Sequence, residues 1–96
     1  MLKKKIIKIG KKKIGAVAIR LLSKTFILLK GDRGYIMCGY LNLKAAQKFR
    51  DAACKIVGVA TIEDALKAKI HSCTTQARKL GIAPGDTVRV ALKKIG

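Results

Sequence analysis

Ninety-six residues, half of them apolar, are enough for one domain (1–96) with one modest core and exclude a disordered chain. Twenty-two Lys and Arg against five Asp and Glu give a net charge of +17, a field that attracts polyanions at long range. The longest uncharged run, 34–43, is about half of the roughly 20 apolar residues a membrane-crossing helix needs, so no such span is expected.

Lys5–Ile9 is short and β-branched, and Gly10-Lys11 can turn it back. Over Ile14–Leu21 the pattern alternates, with Val17, Ile19 and Leu21 on one face and Ala16, Ala18 and Arg20 on the other, as in a half-buried strand. Ser23-Lys24 breaks that strand. Thr25–Leu29 is apolar on both faces and belongs inside the sheet. The GDRG at 31–34 reads as a hairpin loop leading to the strand Tyr35–Cys38; it precedes no helix, which argues against a phosphate cradle.

Asn42 is a good N-cap for a helix over about 43–52, where Leu43, Ala46, Phe49 and Ala53 recur at helical spacing. Ile56–Val59 reads as a short strand. Thr61 with Asp64 forms a capping box, Asp standing for the usual Glu, and opens a helix to about Lys67. Lys69–Cys73 is a further strand candidate, and Thr74–Leu80 a short helix stopped by Gly81. In the tail Val88, Ala91, Leu92 and Ile95 fit a helix, whereas Val88, Val90 and Leu92 fit a strand; the helix is the preferred reading. Strands first and helices later predict an α+β fold: a mostly antiparallel sheet beginning with a four-stranded meander, and short helices packed on one face. With two Phe, two Tyr and no Trp, the interior must be aliphatic.

The stretch GDRGYIMCGYLNLKAA (31–46), followed by VGVATIEDAL (57–66) and by ARKLGI and PGDTVRVAL (77–82 and 84–92), resembles the YunC-like family of small domains of unknown function. The resemblance covers about two-thirds of the chain and implies an α+β fold with a mostly antiparallel sheet and a helical tail. Val-Arg-Val at 88–90 departs from it, because similar chains carry a more acidic tail helix. The resemblance implies no activity, cofactor or partner.

The chemistry on offer is sparse. Cys38 sits where a strand hands over to a helix, a position in which a helix dipole and nearby Lys and Arg would favour thiolate, so it is the candidate nucleophile or redox sensor. The competing and preferred reading is a small buried side chain, since the lone histidine, His71, lies far away in sequence. Cys38, Cys54, His71 and Cys73 lack the paired spacing of zinc ligands, and no metal or cofactor is expected. Asp32, Asp51, Glu63, Asp64 and Asp86 each suit a turn or a helix end, which leaves no carboxylate pair for hydrolysis.

Lys3, Lys4, Lys5, Lys8, Lys11, Lys12 and Lys13 bracket the first turn, Lys24 and Arg20 are candidates to join them, and no acid precedes Asp32. They are candidate nucleic-acid contacts, of the sequence-independent kind that lysine makes with phosphate. Tyr35 and Tyr40 are the only candidate stacking platforms and do not alternate with them. The other reading is a solvated lysine face, although a heat-adapted surface would carry Glu in matching numbers and here there is one.

The apolar run Ile14–Ile19 ends at Arg20, too short for a secretory signal, so a cytoplasmic location and reduced thiols are expected. Three functions from different classes follow: a non-catalytic interaction or structural module, able to self-associate; a non-specific polyanion binder acting through the lysines; and a cysteine-dependent enzyme or sensor.

Overall fold

A computed structural model of the chain describes residues 2–96. Its elements run β1 (Leu2–Ile9), β2 (Lys12–Arg20), β3 (Thr25–Lys30), β4 (Tyr35–Met37), α1 (Leu43–Lys48), β5 (Ala53–Lys55), α2 (Ile62–Lys67), β6 (Ser72–Cys73), α3 (Thr75–Lys79) and α4 (Val88–Ile95). The fold is α+β. One six-stranded sheet holds the strands in chain order, β1 to β6, and the β4–β5 pair is parallel while the other pairs are antiparallel. The sheet is therefore mixed. The expected meander is present as β1–β4.

Gly10, at φ 63°, supplies the positive angle that the two-residue β1–β2 loop requires. Register then puts Lys3, Lys5, Ile7 and Ile9 on one face of β1 with Lys12, Ile14, Ala16 and Ala18 of β2. That face carries the core. Ile14, Ala16, Ala18, Ile27, Leu29, Ile36 and Cys54 meet α2, α3 and α4 there, and no aromatic ring is buried. On β2 the smaller alanine row is the buried one, because helices press on that side; Val17 and Ile19 are half-exposed.

The expectation that the helices share one face needs correction. α1 lies on the opposite side, where its Ala46 clusters with Leu41, Ala53, Tyr35 and Met37. The reason is the crossover: α1 links the parallel strands β4 and β5, so it must leave the sheet on one side, and here that is the side away from the main core. It covers β4 and β5 alone. Among the described residues no helix lies on the same face over β1–β3, which presents Val17, Ile19, Phe26 and Leu28 half-exposed beside Leu2 (53%) and Ile6 (65%). Lys4, Lys8, Lys13 and Lys30 stand on that open face, and Lys8 and Lys13 are direct cross-strand partners.

Some boundaries also differ from expectation: of Lys69–Cys73 only Ser72–Cys73 is strand, as β6. β5 is Ala53–Lys55 rather than Ile56–Val59: Ile56 still donates to the Met37 carbonyl (2.9 Å), but Gly58 at φ 72° then turns the chain out of the sheet. α1 ends at Lys48. Arg50 takes the left-handed conformation (φ 60°), with its N–H on the Gln47 carbonyl and the Asp51 N–H on the Ala46 carbonyl, a Schellman stop built without glycine. α3 ends in the same way with Gly81 (φ 91°). The tail is the preferred helix: Val88, Ala91, Leu92 and Ile95 are all buried, and Thr87 caps its first turn through the Val90 N–H.

Candidate functional site

β3 and β4 pair as far as Leu28–Met37, so Ile27 and Cys38 should exchange two backbone hydrogen bonds next. Only one is the ordinary ladder bond, the Cys38 N–H to the Ile27 carbonyl at 3.1 Å. The Cys38 carbonyl is diverted into a turn and accepts instead from Leu41 N–H at 3.0 Å. That leaves the Ile27 N–H, on a fully buried residue, without its backbone acceptor; it donates to Cys38 Sγ at 3.3 Å. The thiol thus ends the sheet ladder. Cys38 is 4% exposed and belongs to the core cluster.

Cys38 nevertheless reaches the wall of a cleft of about 490 Å³. The cleft lies beyond the carboxyl ends of β4 and β5, between the β2–β3 turn, the 38–40 segment and the 57–60 segment. Arg20 and Lys24 border it with Ser23 and Thr25, and Tyr40, 6.2 Å from the Phe26 ring, closes one side. None of the residues lining it is His, Asp or Glu. A second cleft of about 830 Å³ runs between β1 and the start of α2 and shares Arg20, Thr25 and Ala60 with the first.

The candidate lysines are divided. Lys3 and Lys5 lie on the helix side, where Lys5 Nζ sits 3.5 Å from Glu63 Oε1, and Glu63 is held below its ordinary carboxylate range by backbone hydrogen bonding first and by Lys5 second. Lys12 is also on that side, its Nζ on the Lys93 carbonyl at 2.6 Å. Lys4, Lys8 and Lys13 stand on the open face, and Lys11 is in the turn. The seven therefore form no single patch.

His71 is exposed and does not line the cleft; its Nδ1 lies 3.2 Å from Ser72 Oγ. Cys54 and Cys73 face each other across β5 and β6 as free, buried thiols. Burial, then Cys73 and Asp86 nearby, pushes the Cys54 thiol up to about 12. Among the described residues no three His, Cys, Asp or Glu gather as metal ligands. Asp51 accepts from the Tyr35 hydroxyl at 2.9 Å, and burial followed by that bond raises Tyr35 to about 12. Asp64 and Asp86 accept from the Ala60 and Ala83 N–H groups, so these carboxylates serve loops and caps.

A model of a domain of unknown function, DUF1805, matches residues 37–95, more than half of the chain. The chain belongs to the DUF1805, or YunC-like, family. The uncharacterised protein YunC of Bacillus subtilis is 38% identical over 84 residues, 83% of each chain. A crystal structure of a protein of unknown function, TA1206 from Thermoplasma acidophilum, superposes with a TM-score of 0.96 at 38% identity over 100% of this chain and 94% of that one. The DUF1805 match begins at the end of β4, so it takes in Cys38, Tyr40 and the 57–60 wall of the cleft and leaves the lysine-rich β1–β2 hairpin outside.

Cys38 was the sequence signal for this site. Arg20 and Lys24 stood in the sequence only as additions to the basic surface; the closing of β2 onto β3 carries them to the cleft.

Proposed function

We propose that this DUF1805 chain is a non-catalytic, cytoplasmic interaction module whose helix-free sheet face docks an acidic, amphipathic polypeptide. One observation carries the reading: the face over β1–β3 is apolar at its centre, lysine-bordered and covered by no helix. Contiguous apolar surface of this kind is uncommon on a protein that acts alone. Its charge selects the partner. No acid precedes Asp32, so a second copy would set like charge on like charge, whereas Glu and Asp around an apolar stripe would pair with the lysines. The aliphatic centre suits leucine-type side chains better than stacked bases. The Cys38 sulfur, enclosed and engaged by the Ile27 N–H, supports the absence of catalysis. Among the described residues no helix is long and apolar enough to cross a membrane.

The test uses a designed Leu/Glu amphipathic helical peptide and a short RNA duplex as probes, together with the molecular mass in solution. A monomer is expected that binds the peptide, weakens with salt, and loses at least about tenfold in affinity when Ile6→Lys or Val17→Lys charges the apolar centre. A dimer abolished by Ile6→Lys would assign the face to self-association. RNA binding tighter than peptide binding, with a salt slope of roughly −0.7 to −0.9 per phosphate, would assign the lysines to nucleic acid. Either result overturns the proposal, as does a peptide that fails to bind.

A further inference from the structure

We propose that the cleft beside Cys38 binds a small molecule with a carboxylate or phosphate group on an apolar body. Three features converge there. First, the cleft opens beyond the carboxyl ends of the parallel pair β4 and β5, between the segments that leave those two strands. Its volume of about 490 Å³ suits a small organic ligand.

Second, the charge at its rim is uncompensated. Arg20 and Lys24 border the cleft and no carboxylate lines it; Glu63 lines the adjoining cleft with Arg20, and among the described residues its ion pair is with Lys5. A guanidinium fork grips a planar or tetrahedral oxyanion through two parallel N–H bonds, and the Ser23 and Thr25 hydroxyls stand ready to add to it. Opposite this polar rim, Cys38, Val59 and the Tyr40 ring offer a wall for an apolar body.

Third, Gly39 has no structural reason to be glycine. Its backbone is outside the positive-φ region, and a Cβ built on it would meet nothing within 4 Å. Gly58 across the cleft also faces open space, although its φ of 72° accounts for the residue type. Because Gly39 lines the cleft and a Cβ there has open space around it, the bare backbone keeps room for a ligand. This site is separate from the open sheet face, and either can fail without the other.

Phenyl phosphate, 4-methylpentanoate, the neutral 4-methylpentanamide and inorganic phosphate are titrated by heteronuclear NMR. The two organic anions are expected to bind at about 0.1–1 mM and to shift resonances of 38–40 and 57–60, with the amide and inorganic phosphate at least about tenfold weaker. Arg20→Gln should weaken the organic anions at least about tenfold, and Gly39→Val should abolish binding while the thermal midpoint stays unchanged. Lys44→Gln, outside the cleft, should change nothing. The proposal is overturned if neither organic anion shifts these resonances, if inorganic phosphate binds as well as phenyl phosphate, or if Arg20→Gln and Lys44→Gln weaken binding equally. The last result would reduce the effect to the net charge.

Discussion

Replacing Cys38 by alanine asks what the thiol does in the fold. The substitution removes the acceptor of the Ile27 N–H, which is fully buried and has lost its backbone partner to the turn at Leu41. A buried donor left unmade costs about 1–3 kcal/mol, and losing the sulfur of this nearly buried residue adds about 1 kcal/mol of apolar burial. Sulfur is a weak acceptor, which sets the expected loss at about 2–3 kcal/mol. With roughly 2.1 cal/mol/K of unfolding entropy per residue over 96 residues, the thermal midpoint should fall by about 10–15 °C. Cys38→Ser keeps an acceptor in place and should recover about 1 kcal/mol. Calorimetry and urea unfolding measure the loss, and hydrogen exchange localises it: the Ile27 amide should lose protection in Cys38→Ala and regain part of it in Cys38→Ser. If Cys38→Ala costs under about 0.5 kcal/mol with the Ile27 amide still protected, the sulfur is not the acceptor that closes the ladder.

Thr74→Val should be among the most damaging single changes. Thr74 is 1% exposed, and its Oγ1 accepts from Ala53 N–H (3.1 Å) and Ala77 N–H (3.3 Å) while donating to the Asp51 carbonyl (2.7 Å). Losing all three bonds should cost about 3–5 kcal/mol in urea unfolding. Arg50→Gly should stabilise by about 0.5–1 kcal/mol, because the left-handed C′ position after α1 suits glycine. Alkaline pH should destabilise the protein partly through Cys54. The folded chain keeps this thiol protonated to about 12 while the unfolded thiol ionises near its ordinary 9.0, so its contribution is complete below pH 9 and is lost as pH rises towards 12. In Cys54→Ala the fall in unfolding free energy above pH 9 should be shallower.

The order of elements was legible because it rests on periodicity and capping residues. The Thr61 cap, the Gly81 stop and the four-residue apolar face of α4 each have a local signature, and each stands where that signature points. The misses have the opposite character. β5 is Ala-Cys-Lys, whose small residues carry little β propensity; its pairing is set by Tyr35–Met37, a non-local cause. The stop of α1 at Arg50 lacks a glycine, so nothing local marks it. The placement of α1 on the far face follows from β4 and β5 being parallel, which no alternation pattern encodes. In the site, Cys38 was visible as a residue at a junction, but its role depended on where the Cys38 carbonyl goes. The lysines were visible as a cluster, and only the register of β1 on β2 divides them between two faces.

The far end of α4 has one more consequence. The Ile95 carbonyl accepts from Arg33 N–H at 2.8 Å, and a Cβ on Gly31 would collide with it, so the β3–β4 loop is fitted to the end of the chain's final helix. During synthesis the meander emerges first, with the inner sides of Ile14, Ile27, Leu29 and Ile36 bare until residues 88–95 follow. Closure therefore waits on contacts between residues far apart in sequence, a topology that folds slowly. Until then both sides of the meander have apolar side chains to cover, and the lysines along its first two strands set like charge on like charge between neighbouring copies.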